Sequence, residues 1–373
     1  MRVAIVGRGL MGSAAARHLA KAGHEVVLVG PDEPAEKRTH RGVFASHYDE
    51  GRITRKNATD PYWAEVSIAS IARYAEIEAE SGIGFFEERG AMIAGAEGGP
   101  LMQAARATQR ALSIECEALD RAALRARFPF FAFPDDWAAL YEPTGAGCIS
   151  ARRLVAAQTE AARRRGAEIV AEPAVGIEET KGGVAVRTAA GVVHAERALV
   201  ASGMMTDHVL GRAPKLSLNA RTVALFEVTE AEARRLAAMP SLVFRWSRKG
   251  DPYLLPPVRY PDGAWRVKLG GDPEDVKLTS PEMIGEWFRS GGNPEVRDFL
   301  EEAYRELMPD IRIERVTMDA CVTTWTGDGY PEIGRLSPRI AVATGGNGAG
   351  AKCSDELGRR GALALLEELE DAT

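Results

Sequence analysis

The pattern of apolar and polar residues is clearest at the start of the chain. Two largely apolar runs, at 2–6 and 24–29, flank a glycine-rich segment at 7–12 and an alanine-rich stretch that ends at Gly23. This order predicts a strand, a turn, a helix and a second strand. Two parallel strands joined by a helix form the opening unit of many nucleotide-binding domains.

The glycine-rich segment indicates what this unit binds. Gly7 allows a tight turn after the strand, Gly9 lets a pyrophosphate approach the backbone, and Gly12 lets the helix pack closely on the sheet. The helix opens near Gly9, and its first N–H groups and positive dipole end would face the phosphates. Together with Leu10 and Met11, these glycines predict a dinucleotide site.

The residue that would hold the adenosine ribose is not in its usual place. An acidic residue normally follows the second strand and binds a ribose hydroxyl. That position is Gly30 in this chain, and Asp32 and Glu33 follow slightly later. Asp32 is therefore a candidate for this contact, and Glu33 is the alternative.

Further patterns divide the rest of the chain into helices and strands. Helices are predicted at 61–81, 101–114, 120–128, 150–165, 281–289, 294–307 and 354–369. Strands are predicted at 85–95, 167–171, 174–178, 183–188, 191–195, 197–203, 216–227, 241–246, 253–256, 265–270, 315–324 and 339–344. Because the strands between 216 and 270 look antiparallel, we expect a nucleotide-binding domain that is interrupted and later resumes.

Two later strands also end in small residues. One runs into Ser202-Gly203, and the other runs into the loop Gly345-Gly346-Asn347-Gly348-Ala349-Gly350-Ala351-Lys352 before the last helix. A glycine-rich loop before a helix offers a second helix N-terminus to a cofactor. This arrangement is typical of two-domain flavoproteins rather than of NAD-dependent folds.

The composition is that of an ordinary globular protein. The chain has 373 residues and a net charge of −6, which argues against a general nucleic-acid binder. No apolar run approaches the roughly 20 residues of a membrane span, and we expect no signal peptide. The four cysteines, at 116, 148, 321 and 353, form no metal-type pair. We therefore expect a cytoplasmic protein with no metal, nucleic-acid or membrane partner.

The order of the motifs resembles that of a known family. The first glycine segment, Ser202-Gly203, the segment Cys321-Val322-Thr323-Thr324-Trp325-Thr326-Gly327-Asp328 and the second glycine loop follow one another along the chain. This sequence is similar to the FAD-dependent amine oxidases of the D-amino-acid-oxidase superfamily. It is closest to the group of monomeric sarcosine oxidase and N-methyltryptophan oxidase. The similarity covers nearly the whole chain and is strongest near its two ends.

The resemblance implies an α/β fold with a Rossmann-like FAD-binding domain interleaved with an antiparallel-sheet substrate domain. It assigns 1–60, 140–212 and 315–373 to the FAD-binding domain, and 61–139 and 213–314 to the substrate-binding domain. Outside the first glycine segment and Asp32, it implies FAD contacts at Ser46, His47, Val175, Ser202, Gly203, Cys321, Gly346, Asn347, Gly348, Gly350 and Lys352.

The resemblance also implies roles in the chemistry. Cys321 matches a cysteine whose sulfur bonds to the 8α carbon of FAD, although a small buried cysteine is the alternative. Lys268 matches a lysine beside the flavin, where a cation assists the reduction of O₂. Arg52, Arg55 and Lys352 match basic residues that would hold a substrate carboxylate by charge-assisted hydrogen bonds or stabilise the reduced flavin.

Two positions depart from the family pattern. Thr323 stands two residues after the cysteine, where an aromatic residue is common, and Asp272 stands four residues after Lys268, where sarcosine oxidases have histidine. Both positions lie near the substrate in the family, so they argue against sarcosine itself but not against amine oxidation. Asp272 would suit a cationic or polar substrate, and Tyr253 and Trp325 are candidate cavity walls.

The leading hypothesis is FAD-dependent oxidation of a secondary amine or N-substituted amino acid to an imine, with O₂ reduced to H₂O₂ by a monomer or small homo-oligomer. An amine dehydrogenase or a fructosyl-amino-acid-type oxidase would carry much the same motifs. A nicotinamide-dependent β-hydroxyacid dehydrogenase has a similar opening, but its second half is mainly helical. A flavin-binding subunit without its own catalysis is a further alternative.

Overall fold

The structure, a computed structural model, describes residues 1–245 and 252–367. The strands are β1 (Arg2–Val6), β2 (Glu25–Val29), β3 (Arg52–Thr54), β4 (Phe86–Glu88), β5 (Ala91–Ala96), β6 (Glu117–Leu119), β7 (Trp137–Glu142), β8 (Gly147–Ile149), β9 (Glu168–Val170), β10 (Ala174–Thr180), β11 (Gly183–Thr188), β12 (Val192–Ala195), β13 (Arg197–Val200), β14 (Ser217–Val228), β15 (Ser241–Phe244), β16 (Tyr253–Arg259), β17 (Trp265–Gly270), β18 (Val276–Leu278), β19 (Arg315–Trp325), β20 (Glu332–Arg335) and β21 (Ile340–Thr344). The α-helices are α1 (Leu10–Lys21), α2 (Pro61–Ile71), α3 (Tyr74–Ser81), α4 (Pro100–Ala111), α5 (Arg121–Arg127), α6 (Ala151–Arg164), α7 (Thr206–Leu210), α8 (Glu230–Arg235), α9 (Pro281–Ser290), α10 (Pro294–Leu307) and α11 (Gly350–Leu366).

The opening unit belongs to a largely parallel sheet, as the apolar pattern predicts. Its strand order is β20-β21-β13-β1-β2-β9, and only β20 runs antiparallel to its neighbour. Apolar residues of the strands and of α1 form a common core that includes Ile5, Ala15 and Leu28. α11 packs closely on α1, since a Cβ added at Gly358 would lie 2.5 Å from the Met11 carbonyl oxygen.

A second, larger sheet is mostly antiparallel. Its order is β18-β14-β17-β16-β15-β5-β7-β6, and β19 pairs with the other edge of β14. Among the strands of this sheet that the structure describes, only the pair β15–β5 is parallel. The α10 helix covers one face of this sheet, where Phe226 and Tyr304 are fully buried against each other. Smaller sheets are formed by β10-β11-β12 and β3-β8-β4.

Several elements differ from the predicted ones. The helix predicted at 61–81 is divided into α2 and α3, and Arg73 at the junction contacts carboxylates of α11. The last helix begins at Gly350 rather than at Ser354. The ends predicted at Trp246 and Leu369 lie outside the described residues. Short strands such as β3 and β18 were not predicted, because three residues give too little periodicity.

The predicted α/β fold class is confirmed by this arrangement of sheets and helices. The predicted boundary at 315 places β19 with the FAD-binding segments, yet β19 is hydrogen-bonded to β14 from Arg315 to Trp325. The domain boundaries therefore remain a proposal. The long β14–β19 ladder matters for function, because it carries Cys321 and Thr323 to the junction between the two main sheets.

Candidate active site

A cavity of about 650 Å³ lies where the two main sheets meet. One end is lined by the turns that follow β1, β2 and β13 in the parallel sheet. The other end is lined by residues of β14, β19 and the segment after β17, together with the start of α11. The carboxyl ends of parallel strands are where nucleotides bind in such sheets.

The first glycine segment is shaped by close backbone contacts. Gly7 has φ +116°, and an added Cβ there would lie 2.4 Å from the Ala201 carbonyl oxygen. A Cβ at Gly12 would lie 1.8 Å from the Gly7 carbonyl oxygen. Gly9 is different, because its nearest neighbour would be an atom of His47 at 4.0 Å. No protein atom therefore fills the space beside the Gly9 Cα, and this space is open to a ligand.

Two helices direct their N-termini at this cavity. α1 begins after Gly9 and α11 begins after Ala349, and neither helix has a side-chain cap. Gly9, Leu10 and Met11 line the cavity at one helix, and Gly346, Gly348 and Gly350 line it at the other. Uncapped N–H groups at a helix N-terminus attract anions such as phosphate.

The predicted ribose contact is placed differently. Gly30 lines the cavity, and a Cβ there would lie 2.5 Å from the backbone nitrogen of Arg8. An acidic side chain would not fit at this position, which explains the departure from the usual pattern. Asp32 does not line the cavity; its side chain is 76% exposed and forms an ion pair with Arg8, which does line it.

Most of the other predicted cofactor contacts line the cavity. Ser46, His47, Ser202 and Gly203 all do so. Val175 does not line the cavity, and its side chain is 50% exposed. The preceding residues, Pro173 and Ala174, form this part of the wall. The structure therefore does not bring Val175 to the site.

Asn347 has a role within the second glycine loop. Its φ is +45°, its side-chain amide donates to the Gly345 carbonyl at 2.8 Å, and its Oδ1 accepts from the Thr326 N–H at 3.0 Å. The side chain does not line the cavity. It holds the loop in a conformation that presents the neighbouring glycines.

Cys321 lines the cavity from β19 and is buried. Its Sγ accepts a hydrogen bond from Nη2 of Arg52 at 3.3 Å, and the same nitrogen donates to the Ser46 carbonyl at 3.0 Å. Burial lowers the pKa of Arg52, but the nearby Cys321 and Asp49 raise it by more, so the net shift of the pKa is upward. A guanidinium in this place stabilises negative charge that develops on the sulfur.

Arg55 and Lys352 form a cationic wall of the same cavity. Lys352 is buried, and its burial lowers its pKa, with a smaller contribution from the positive charge of Arg55. Burial also lowers the pKa of Arg55. His47 is neutral at ordinary pH, because burial and the arginines around it lower its pKa to about 3.

Lys268 is separated from the cavity by the side chain of Tyr253, which forms part of the wall. It is only 1% exposed and does not line the cavity. Its Nζ donates to the Gly51 carbonyl at 2.8 Å, forms an ion pair with Asp49 and lies 5.6 Å from the ring centre of Tyr253, which does line the cavity. The predicted cation is thus present, but a carboxylate neutralises it.

Asp49 is a site residue that the sequence analysis missed. Its carboxylate lies 3.4 Å from Nε of Arg52 and accepts from the Tyr260 hydroxyl at 3.3 Å. Burial raises its pKa, but Lys268 and Arg52 outweigh this and lower it to about 2. In the sequence, the indication that Asp49 belongs to the site is its position three residues before Arg52 in a polar loop. Asp49 also lines a second cavity, of about 580 Å³, that shares Ser46, Arg52 and Cys321 with the first.

Asp272 and Thr323, the two departures from the family pattern, both line the cavity. The carboxylate of Asp272 accepts from the backbone N–H of Thr222 at 3.0 and 3.1 Å. Burial raises the pKa of Asp272 to about 6. Thr323 accepts a hydrogen bond from the indole of Trp325 at 2.9 Å, so Tyr253, Thr323 and Trp325 all form part of the wall.

A sequence model of the family described as FAD dependent oxidoreductase matches residues 2–362. The chain belongs to this family. Monomeric sarcosine oxidase of Bacillus sp. (strain NS-129) is 27% identical over 372 residues, which cover 95% of this chain and 90% of that protein. N-methyl-L-tryptophan oxidase of Yersinia pestis (strain Pestoides F) is 24% identical over 212 residues, 56% of this chain and 55% of the relative.

Solved structures of other proteins share the fold. A point mutant of NikD, an amino acid oxidase of nikkomycin biosynthesis, superposes with a TM-score of 0.77 at 21% identity, covering all of this chain and 94% of NikD. Amadoriase I of Aspergillus fumigatus has a TM-score of 0.75 at 21% identity, covering 99% of this chain and 87% of the other. The predicted resemblance is confirmed, and the nicotinamide alternative is set aside.

The cavity fits the FAD of this oxidoreductase family. Gly9 leaves room beside the backbone, and two uncapped helix N-termini supply N–H groups for the pyrophosphate. Among residues 1–245 and 252–367, no group of three or more histidine, cysteine or acidic residues is arranged to hold a metal ion. None of the described helices is long and apolar enough to cross a bilayer.

Proposed function

We propose that this FAD-dependent oxidoreductase oxidises the C–N bond of a secondary amine or N-substituted amino acid. The observation that carries the proposal is the cationic wall of Arg55 and Lys352, which lines the cavity near Arg52 and Cys321. The names of the relatives support it, since sarcosine oxidase, N-methyl-L-tryptophan oxidase and fructosyl amine: oxygen oxidoreductase all refer to substituted amines.

The side chains of the site supply binding and orientation. A substrate carboxylate between Arg55 and Lys352 receives charge-assisted hydrogen bonds and offsets two partly desolvated cations. The same positive field favours the neutral form of the amine nitrogen, which is the form that can be oxidised. Bound FAD would supply the acceptor for the hydride equivalent that leaves the carbon beside the amine nitrogen, as this C–N bond becomes C=N.

The first experiment is an anaerobic panel of N-methyl amino acids mixed with the purified holoenzyme, with bleaching of the flavin absorbance as the readout. Arg55→Met and Lys352→Met should each raise KM for carboxylate substrates by about tenfold or more. A secondary amine without a carboxylate is the control, and its KM should change much less. A yellow enzyme that no member of the panel reduces would refute the proposal and favour a non-catalytic flavin subunit.

We also propose that Cys321 binds FAD covalently through sulfur. Its position on the cavity wall and its hydrogen bond with Arg52 support this assignment. After acid denaturation the flavin should stay with the wild-type chain and leave with the supernatant in Cys321→Ala. Cys148→Ala is the matched control, because Cys148 is also buried but does not line the cavity. Flavin released from the wild-type chain would remove the assignment.

We propose O₂ as the electron acceptor, with Lys268 as the cation that assists its reduction. A dehydrogenase that uses another acceptor is the second candidate, because Lys268 is paired with Asp49 and does not line the cavity. Formation of one H₂O₂ for each amine oxidised supports the oxidase. Fast flavin reduction without H₂O₂ supports the dehydrogenase.

Finally, we propose a cytoplasmic enzyme that is a monomer or a small homo-oligomer. The free thiols of Cys116, Cys148, Cys321 and Cys353 support a reducing compartment. Mass measurement in solution tests the oligomeric state.

A further inference from the structure

One carboxylate stands out among the charges of the cavity. Of the described residues that line it, Asp272 is the sole acidic one. The other charged residues that line the cavity are cationic, namely Arg8, Arg52, Arg55, Arg221 and Lys352. A single carboxylate in a cavity otherwise lined by cations requires an explanation.

The backbone around Asp272 explains its position but not its charge. β14 pairs with β17 as far as Val223 and with β18 from Ala220, so Thr222 has no strand partner on that side. Asp272 fills the gap and accepts the free N–H of Thr222. The amide oxygen of an asparagine would accept the same hydrogen bond, so the negative charge is not needed for the fold.

The charge of Asp272 also has no ion-pair partner within the described part of the chain. Arg221 is nearby, but its guanidinium pairs with Asp275 at 2.5 Å and donates to the Ala220 carbonyl at 3.2 Å. A half-buried carboxylate without an ion-pair partner is costly. A cationic group of a ligand in the cavity would offset that cost.

The cavity therefore has two poles of opposite charge. Arg55 follows β3, and Lys352 lies in the first turn of α11. Asp272 follows β17 and is hydrogen-bonded to Thr222 of β14. The cationic wall and Asp272 therefore belong to different elements that line one cavity.

We propose that the site selects N-alkyl derivatives of basic amino acids, with the substrate carboxylate on Arg55 and Lys352 and a cationic side-chain terminus on Asp272. Asp272 is then a specificity-determining residue. This inference rests on the proposed oxidation of N-substituted amino acids and adds the class of side chain. The central part of such a substrate, with its secondary amine, lies between the two poles.

A matched pair of substrates tests the inference in the holoenzyme. Nα-methylarginine and Nα-methylcitrulline have the same length and shape, but only the first ends in a cation. We expect kcat/KM for flavin reduction to favour the arginine derivative by about tenfold or more, the range of a charge-assisted hydrogen bond. A ratio of one or less in the wild-type enzyme overturns the inference without any variant.

Two variants separate specificity from structure. Asp272→Asn keeps the acceptor for Thr222 and removes the charge, so the ratio of the two kcat/KM values should fall to about one. Glu274→Gln removes a charge two residues away, at an exposed position outside the cavity, and should keep the wild-type ratio. An unchanged ratio in Asp272→Asn would show that the carboxylate does not recognise the side chain of the substrate.

The outcomes also distinguish this inference from the proposed function. If neutral N-methyl amino acids reduce the flavin and Nα-methylarginine does not, the proposed function stands and the inference fails. If no N-substituted amino acid reduces the flavin, both fail. A thermal melt of each variant shows whether a lost ratio reflects misfolding.

Discussion

At the scale of single residues, carboxylates decide how the cations of this site act. Asp49 is buried between Lys268 and Arg52, and it neutralises charge that would otherwise reach the cavity. Asp272 lies in the cavity itself and is not paired within the described residues. Both carboxylates are therefore better targets for mutation than the cations, because removing them changes charge while an asparagine keeps the hydrogen bonds.

The first prediction concerns Asp49. In Asp49→Asn, Lys268 and Arg52 lose their shared counterion, and we expect O₂ to reoxidise the reduced flavin several-fold faster. Rapid mixing of reduced enzyme with O₂ measures this rate. Lys268→Met should remove the gain when it is combined with Asp49→Asn. An unchanged reoxidation rate in Asp49→Asn would mean that Lys268 is not the cation that oxygen reduction uses.

The second prediction uses the pKa of Asp272, which burial raises to about 6. The Thr222 N–H and the Arg221 guanidinium lower this pKa, and the Asp275 carboxylate raises it. Below about pH 6 the carboxylate becomes protonated, so the preference for Nα-methylarginine over Nα-methylcitrulline should decline as the pH falls from 7.5 to 5. Both substrates share the same amine, so its own titration cancels in the ratio. A ratio that does not change over this range contradicts the assignment.

At the scale of elements, the first glycine segment contains glycines that the fold requires and a glycine that the cofactor requires. Gly7 and Gly12 are required by the protein, because an added Cβ would meet backbone atoms at 2.4 and 1.8 Å. Gly9 has no such neighbour, so its requirement comes from the cofactor. The strand–turn–helix unit therefore contains residues for folding and residues for binding side by side.

The third prediction follows from this difference. In the Cys321→Ala background, where FAD is held without a covalent bond, Gly9→Ala should give a folded protein whose FAD affinity is lower by about tenfold or more, equivalent to about 1.4 kcal/mol. Gly12→Ala should fail to fold, because its Cβ would overlap the Gly7 carbonyl. Flavin content and circular dichroism measure the two effects. Full flavin content in Gly9→Ala would place the pyrophosphate elsewhere.

At the scale of the whole molecule, a buried ionic cluster holds distant helices together. Asp355 of α11 is fully buried and accepts from Gln158 of α6 at 2.9 Å and from His18 of α1 at 3.1 Å. It also pairs with Arg17 and Arg73. Without Asp355, Arg17 keeps Glu76 and Glu80 and Arg73 keeps Glu356, but the one carboxylate that these two arginines share is lost from the buried cluster.

The fourth prediction concerns this cluster. Asp355→Ala should lower the free energy of unfolding by about 3–5 kcal/mol near pH 7. Burial raises the pKa of Asp355, but His18 and Arg73 hold it well below its usual value. The stabilisation is therefore present above about pH 4 and is lost as the pH falls below it, so wild type and variant should converge in acid. Chemical denaturation at several pH values measures this difference.

A matched control is available on the surface of the same region. Glu160 of α6 is half-buried and pairs with Arg163 and Arg164, whose side chains are exposed. Glu160→Gln should change stability little, because exposed ion pairs are screened by water. Equal effects of the two substitutions would mean that burial of the Asp355 cluster contributes nothing.

The sequence by itself determined the features that depend on local backbone geometry. Gly7 and Gly12 identify the turn and the close helix because no other residue fits there, and the apolar runs identify strands such as β1 and β13. The fold class and the FAD cofactor follow from these motifs in their order along the chain. They are properties of neighbouring residues, so the sequence contains them directly.

The charge environment of the site was decided by the tertiary structure. Lys268 meets Asp49 across 219 positions of sequence, and Cys321 meets Arg52 across 269. Asp32 does not line the cavity, and its carboxylate pairs with Arg8. Whether a charge is free, paired or buried depends on which strands lie side by side, and sequence spacing does not show this.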